Sequence, residues 1–464
     1  MFSEVIFLKD LTKGNISKNL WQLALPALIA GVLSYVLTTI DQVMLGKIVG
    51  DVGLAAVGAT SSFFGVLWGI HGALTFAFGA RLSYLVGTGD GDAIKRTYKI
   101  NMLVNVAIAS VIVVGSILLR RPLFAFLNVP ADVFAEAERY YIVFAVAFLF
   151  FIINGNQSAA LLSFGNSTFP MRVGIIGAVC NVVLNYITIV PLGMGAMGAA
   201  VATAAVAAGS ALAYACKLRV EFARMEGKVI RASLSEYLPI LKLLIPIFLQ
   251  QMIMHLFAFI VQPTVNSLGK TSIAALAVCV SLCDIVTIGY KQFSKGVSVF
   301  IGQSLGCGQP SLVGRGIRIT VRQILTITLP LLLLLMLFPR IAPLVFLADP
   351  YGEAAGIVID YVYCCIPFML PLAFSNMLHN VFRGVLRPGF NIAGGIALGV
   401  ARAVLTIGLV PVIGVYGVFV GYSASWMADF LVMLGIYLSK KWKTKEYREL
   451  EMAERGSQAT PDKA

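Results

Sequence analysis

Apolar runs of about 20 residues, the length of a helix that crosses a bilayer, follow one another along almost the whole chain. Twelve can be read, at approximately 18–45, 53–80, 98–119, 134–162, 170–190, 196–217, 238–266, 272–300, 317–338, 354–382, 389–411 and 415–439. The joints between them are short and carry turn signals: Gly87-Thr88-Gly89-Asp90-Gly91, Pro130, Pro170, Pro191, Gly306-Cys307-Gly308, Pro350 and Pro388-Gly389. The pattern predicts an all-α integral membrane protein of twelve transmembrane helices.

The pattern also repeats. Shifted by about 219–221 residues, Pro26 falls on Pro246, Leu54-Ala55-Ala56 on Ile273-Ala274-Ala275, and Gly87 and Gly89 on Gly306 and Gly308. Arg96 falls on Arg315, Pro130 on Pro350, Tyr141 on Tyr361, Gly165 on Gly384, and Gly195 and Gly198 on Gly414 and Gly417. So many landmarks in order, at a near-constant offset, mean two six-helix halves. Six is even, so both halves enter the membrane from the same side: a parallel repeat around a central cavity. The expected parts are a cytoplasmic segment at 1–17, an N-terminal six-helix lobe at 18–217, a cytoplasmic linker at 218–237, a C-terminal six-helix lobe at 238–439 and a charged cytoplasmic tail at 440–464. Two similar bundles that rock against each other suit alternating access. A channel would more usually be an oligomer of few-span subunits around a filter loop.

Composition agrees: 59% of residues are hydrophobic and 12% charged, about half the charged share of a soluble domain. The net charge of +13 is then a question of topology, not of nucleic-acid binding. With the N-terminus in the cytoplasm, only Lys47, Arg120, Arg121, Arg139, Lys270 and Arg340 fall on the outer side, and Lys291, Lys295 and Arg402 fall within spans. This bias puts both termini in the cytoplasm and the chain in the inner (plasma) membrane. No cleaved signal peptide is read at the N-terminus. The seven cysteines form no CxxC pair and are expected to pack as small apolar groups, not as metal ligands. No GxxxxGK[ST] stretch is present, so the drive is expected from an ion gradient or the membrane potential and not from ATP.

The candidate chemistry starts in the first span, where Pro26 and Asp41 are both expensive. Proline removes a helix hydrogen bond and favours a kink. A carboxylate in a membrane costs roughly 3 kcal/mol on insertion scales unless it meets water or a partner. Asn181 and Asn185 share a face of span 5 at i, i+4 spacing. They lie, with Thr203 in span 6 and Tyr140 in span 4, at about the depth of Asp41, roughly 8–10 Å inside the outer rim at 1.5 Å rise per residue. One carboxylate, two amides, a hydroxyl and a phenol make either an oxygen-rich cation site or a setting for a titrating carboxylate. The competing reading is a set of separate interhelical hydrogen bonds worth about 0.6 kcal/mol each.

The C-terminal half differs, because Asp41 falls on Val261 or Gln262 there. Instead Asp284, Arg402 and Asp429 stand mid-span at similar depth, and mutual neutralisation is expected. The alternative is that Lys291 or Arg402 faces the cavity and accepts an anionic or zwitterionic substrate. His71, His255 and His379 each stand alone in their spans, where hydrogen bonding is the default; His255 is the choice for a second proton site. Gln250, Gln251, Asn376, His379 and Asn380 are candidates for a polar wall. Gln250, His255, Asp284, Lys291 and Arg402 make up the candidate polar or substrate group of this half.

These residues match a known pattern. Leu25-Pro26 followed by Asp41-Gln42-Val43-Met44-Leu45-Gly46, then Gly53-Leu54-Ala55-Ala56, Gly87-x-Gly89-Asp90, Arg383-Gly384 and the twelve-span repeat resemble the multidrug and toxic compound extrusion (MATE) transporters of prokaryotic type, from about Leu20 to Lys440. The resemblance implies an antiporter that exports small amphipathic organic compounds, many of them cationic, as protons or sodium ions enter. It implies that Asp41 is the first-helix carboxylate, Pro26 the bending proline, and Asn181 and Thr203 polar positions of the N-terminal cation site. Asn185 departs from the many prokaryotic relatives with aspartate there. Some relatives carry a cation site of glutamate in span 7 and aspartate in span 10; here His255 lies near the first and only amides near the second, so that site is expected to be absent.

The function expected is therefore a non-enzymatic secondary antiporter that works as a monomer in the lipid bilayer, without cofactor or nucleic-acid partner. The proton is preferred as coupling ion, with sodium at Asp41 as the alternative, because Asn185 lacks a charge that would help strip water from a metal ion. A lipid-linked precursor flippase of related architecture is the runner-up; it would want a more basic cavity. A non-transporting sensor or scaffold is disfavoured by the short tail, which is expected to rest on the inner leaflet.

Overall fold

The computed structural model describes residues 10–44, 48–49, 51–126, 133–226, 233–347 and 349–459; within them, the side chains of 37–43, 51–55, 59, 61–62, 126, 446 and 455–459 are outside the description. The described residues form α1 (Ile16–Met44), α2 (Asp51–Thr88), α3 (Gly91–Leu118), the short α4 (Arg120–Phe126), α5 (Phe134–Ser163), α6 (Thr168–Ile189), α7 (Gly195–Arg224) and α8 (Leu238–Asn266). They continue with α9 (Lys270–Gly306), α10 (Ser311–Leu337), the short α11 (Ile341–Phe346), α12 (Glu353–Cys365), α13 (Met369–Gly384), α14 (Phe390–Ile413), α15 (Val415–Leu438) and α16 (Lys445–Ala459). Twelve segments among them are long and apolar enough to cross a membrane, and they fall on the twelve runs predicted. The tenth is α12 plus α13, separated by a 3₁₀ turn at Ile366–Phe368, where Pro367 removes a helix hydrogen bond.

Contacts group the chain into two units. Pro26–Leu244 belong to one, and Leu11–Leu25 with Ile245–Ala464 to the other. In chain order, the division falls between Leu25 and Pro26 and between Leu244 and Ile245, within one residue of each of the paired prolines.

In the N-terminal unit α5 packs against α2, α3 and α7, and α6 lies on α7. The alanines and glycines of α7 let its neighbours approach closely. Glu136 on α5 fixes the register by capping α7, its Oε1 accepting from the Ala196 amide at 2.6 Å. Phe64, Phe124, Tyr141, Phe148 and Ile152 fill the core. Within it Asn101, Asn105 and Asn156 bond to one another at 2.9–3.1 Å, and the Tyr237 hydroxyl donates to Asn105 at 2.8 Å. Such a closed set of partners is what makes buried amides tolerable.

In the C-terminal unit α9 packs against α10, α12 and α13, and α15 against α12, α13 and α14. Trp21 of α1 meets Phe293 of α9 edge-on at 5.0 Å. The repeat is visible in backbone angles: Gly89 and Gly308 have φ of +74° and +73°, and Gly195 and Gly414 of +60° and +59°. These left-handed turns need glycine, which explains why the landmarks survive at a fixed offset.

Of the seven cysteines, Cys279 and Cys365 are buried, Cys283 is half-buried, Cys180, Cys216 and Cys364 lie at the surface of membrane-length helices, and Cys307 is exposed at the end of α9. The charged tail contains α16, which docks on the start of α10: Tyr447 donates to the Pro310 carbonyl at 3.0 Å, and Glu454 accepts from the Ser311 amide and hydroxyl at 3.0 and 2.5 Å. Burial, then the nearby Glu451 carboxylate, raise the Tyr447 phenol above its ordinary pKa.

Candidate functional site

The N-terminal unit holds a cavity of about 600 Å³. Tyr140, Asn181, Asn185 and Thr203, grouped by depth alone in the sequence, all line it. The Asn185 amide donates to Asn181 Oδ1 at 3.3 Å, one turn back on α6, and the Asn181 amide donates to Thr203 Oγ1 on α7 at 3.4 Å. Both bonds lie at the long end of the hydrogen-bond range. Tyr140 stacks on Phe144 at 5.5 Å and 27°, and Trp68, Phe144 and Phe151 add an aromatic wall. The Asp41 side chain lies outside the described residues; Ser34, on the same helix, lines the cavity.

Sequence reasoning missed Asn154. Its amide donates to the Ala207 carbonyl at 2.9 Å, and its Oδ1 is buried with no hydrogen-bond partner among the described residues. The signal was the polar run Asn154-Gly155-Asn156-Gln157 in an otherwise apolar span. Asn156 turns to the amide core and Asn154 to the cavity.

In the C-terminal unit the expected group divides. Gln250 is buried in a chain of polar side chains: the Arg383 guanidinium donates to Gln250 Oε1 at 3.2 Å, and Gln250 Nε2 meets His379 Nδ1 at 3.3 Å. His379 Nε2 lies 3.0 Å from Asp429 Oδ1, and Ser375 also bonds the Asp429 carboxylate. Arg383 can only donate, so it fixes the Gln250 amide with its NH₂ toward His379. His379 thus bridges Gln250 at Nδ1 and the Asp429 carboxylate at Nε2. One cation and one carboxylate thus close a single buried chain.

The expected neutralisation of Asp284, Arg402 and Asp429 is therefore not what forms. Asp429 is taken by His379 and Ser375, whereas Arg402 bonds Ser425 and covers the Tyr422 ring. His255 is exposed, five residues beyond Gln250 on α8 and outside this chain. Asp284 and Lys291 are exposed on α9. No group of three or more His, Cys, Asp or Glu side chains able to hold a metal ion occurs among the described residues.

Two units of membrane-length helices with polar groups in mid-span are the build of a multi-pass transporter. The chain belongs to the MatE family, whose model matches residues 26–187 and 246–410. It is similar to the "Probable multidrug resistance protein YpnP" of Bacillus subtilis (strain 168), 25% identical over 437 residues that cover 93% of each chain. Among solved structures it resembles an outward-facing multidrug resistance MATE family transporter (TM-score 0.87, 18% identity, 96% of this chain and 100% of that one). It likewise resembles MATE in complex with MaD3S (TM-score 0.86, 17% identity, 97% and 100%).

Proposed function

We propose that this chain is a secondary antiporter that exports small amphipathic organic compounds as protons enter, with sodium as the second candidate ion. Membership of the MatE family and similarity to multidrug resistance proteins support export of such compounds. The observation that carries the site is the gathering of Tyr140, Asn181, Asn185 and Thr203 on one cavity. In this reading Asp41 binds and releases the coupling ion, and the amide–hydroxyl row reorients as it does so. Pro26 is the point at which α1 bends. The protein works as a monomer in the inner (plasma) membrane with both termini in the cytoplasm, as the lysine and arginine bias supports.

The test is ethidium flux in proteoliposomes under separately imposed proton and sodium gradients. Asp41→Asn is expected to abolish gradient-driven flux; unchanged flux removes Asp41 from the mechanism. Flux that follows sodium at fixed pH, and stops without it, replaces the proton with sodium.

A further inference from the structure

The C-terminal unit holds a cavity of about 260 Å³ between the start of α10, the end of α15 and the docked α16. The proposed transport makes no use of it. α10 and α15 have 27 and 24 residues. At 1.5 Å per residue the shorter spans roughly 36 Å, against about 30 Å of hydrocarbon, so these helix ends lie among lipid headgroups. Ile317 and Leu438 give the cavity an apolar wall, and Tyr437, Trp442 and Tyr447 an aromatic one. Tyr437 and Trp442 stack at 5.6 Å and 8°, and Trp442 meets Tyr447 edge-on at 5.5 Å and 72°. The Trp442 indole donates to the Tyr437 carbonyl at 2.9 Å and the Tyr447 hydroxyl to the Pro310 carbonyl at 3.0 Å. Both rings are buried, so this wall is fixed in place.

The charged groups of the lining are Lys440, Lys443 and Glu451. Lys443 Nζ lies 3.0 and 3.1 Å from the two Glu451 carboxylate oxygens, and 5.1 Å from the Tyr447 ring centroid. The aromatic wall thus already holds a cation of its own, which leaves no place for the ammonium of a ligand. Lys440 is exposed and forms no ion pair among the described residues. It directly follows Ser439, the C-cap of α15, and its φ is +56°. Helices commonly end on glycine in that left-handed conformation, because any Cβ there is costly. A helix end that carries lysine where glycine is more stable keeps it for its ammonium. Two lysines against one glutamate leave the lining with one net positive charge.

We propose that this cavity binds the phosphodiester headgroup of an anionic membrane lipid. Lys440 donates charge-assisted hydrogen bonds to the phosphate oxygens. The single net charge suits a monoanion, and Glu451 selects against a second negative charge. The glycerol carbons lie against Ile317 and Leu438. Free phosphate would share the contact with Lys440 but has no use for that apolar wall, so the lipid is the source preferred. The proposal stands apart from the antiporter reading, since it concerns neither the coupling ion nor the transported compound.

The test uses the full-length protein, freed of lipid in detergent and titrated with dioleoyl phosphatidylglycerol or dioleoyl phosphatidylcholine; native mass spectrometry reads the affinity for each. Phosphatidylglycerol is expected to bind the more tightly. K440G should weaken it roughly tenfold, the scale of one lost charge-assisted hydrogen bond, and leave phosphatidylcholine unchanged. The same variant relieves the left-handed backbone, so its thermal midpoint should be no lower than that of the unaltered protein. Gly314 lines the cavity, and a Cβ there meets nothing within 4 Å. G314L therefore fills the space without a clash, and leucine favours the helix over glycine. It too should weaken phosphatidylglycerol with no fall in the midpoint. Weaker binding in two variants that are no less stable is not a result that general damage produces. Equal affinity for the two lipids, or phosphatidylglycerol binding unchanged in K440G or in G314L, overturns the proposal. Displacement of the lipid by excess inorganic phosphate overturns the lipid as source and leaves a site for soluble phosphate.

Discussion

The two units place different chemistry on the same scaffold. In the register that sets Gly195 on Gly414, Asn181 falls on Val400, Asn185 on Val404, Thr203 on Tyr422 and Ser210 on Asp429. In the N-terminal unit all four line a hollow of about 600 Å³, with neutral groups joined by bonds of 3.3 and 3.4 Å. In the C-terminal unit the first two positions are valine, the third is the ring beneath Arg402, and the fourth is a buried carboxylate held by His379 and Ser375. A Cβ at Gly394 would come within 2.3 Å of Asp429 Oδ1 and 2.9 Å of the His379 ring, so that region is filled. Neutral amides can exchange partners with water or a ligand at small cost, whereas a buried ion chain tolerates few rearrangements. One unit is built to be re-occupied and the other to hold its shape.

The largest effect that sharpens this contrast is expected at Asp429. Asp429→Asn breaks the buried His379–Asp429 pair from the carboxylate side. Breaking a buried pair from one side costs about 3–5 kcal/mol, and the fall in thermal midpoint of the purified protein should show it. Ser210→Ala, at the matching place, should cost less than about 0.5 kcal/mol, as it removes one hydroxyl from a cavity wall. Equal melting of the two variants would break the comparison. Gly394→Ala comes next: overpacking typically costs about 1–3 kcal/mol, and the same melting measurement should place it between the other two. Smaller again is the expected effect of Asn181→Ala, which removes the bonds to Thr203 and Asn185 along with its other contacts. Interhelical bonds of this sort average about 0.6 kcal/mol, so stability should barely move, while antiport in proteoliposomes falls if the row serves the coupling ion. Loss of stability like that of Asp429→Asn would show that the row is structural.

Much of this was legible in the chain. Span number and the repeat came from apolar run length and from glycines whose left-handed angles no other residue adopts as easily. The N-terminal group was legible because depth in a membrane follows from residue count: four side chains at one level, on neighbouring helices, meet. The same argument failed for Asp284, Arg402 and Asp429. Equal depth does not fix which face a residue takes, and Asp429 faces α13, where Ser375 and His379 wait four residues apart. Asn154 escaped for a related reason, since three polar residues within four positions leave open which turns inward. The helical tail was hidden by its high charge, and only its docking contacts with α10 give it a fixed place.

Those contacts carry the smallest prediction, and again the units differ. Gly89 and Gly308 match, so Asp90 falls on Gln309. Asp90 caps its own helix, its Oδ1 accepting from the Ala93 amide at 2.9 Å. α10 begins with Pro310 at its N-cap and no side-chain cap of its own. Glu454 of α16 takes that role from outside, at the Ser311 amide and hydroxyl, and brings a negative charge to the positive end of the helix. Losing a cap costs about 0.5–2 kcal/mol. In α3 the cost of Asp90→Ala should fall on the helix start alone. In the C-terminal unit Glu454→Ala should act twice, fraying the start of α10 and loosening α16, seen as faster amide hydrogen exchange over 311–314 and 445–454 with little change in the overall melting point. Gln309→Asp in that background should restore slow exchange at 311–314 and leave α16 loose. If it slows both segments, the tail depends on the state of α10 and not on Glu454.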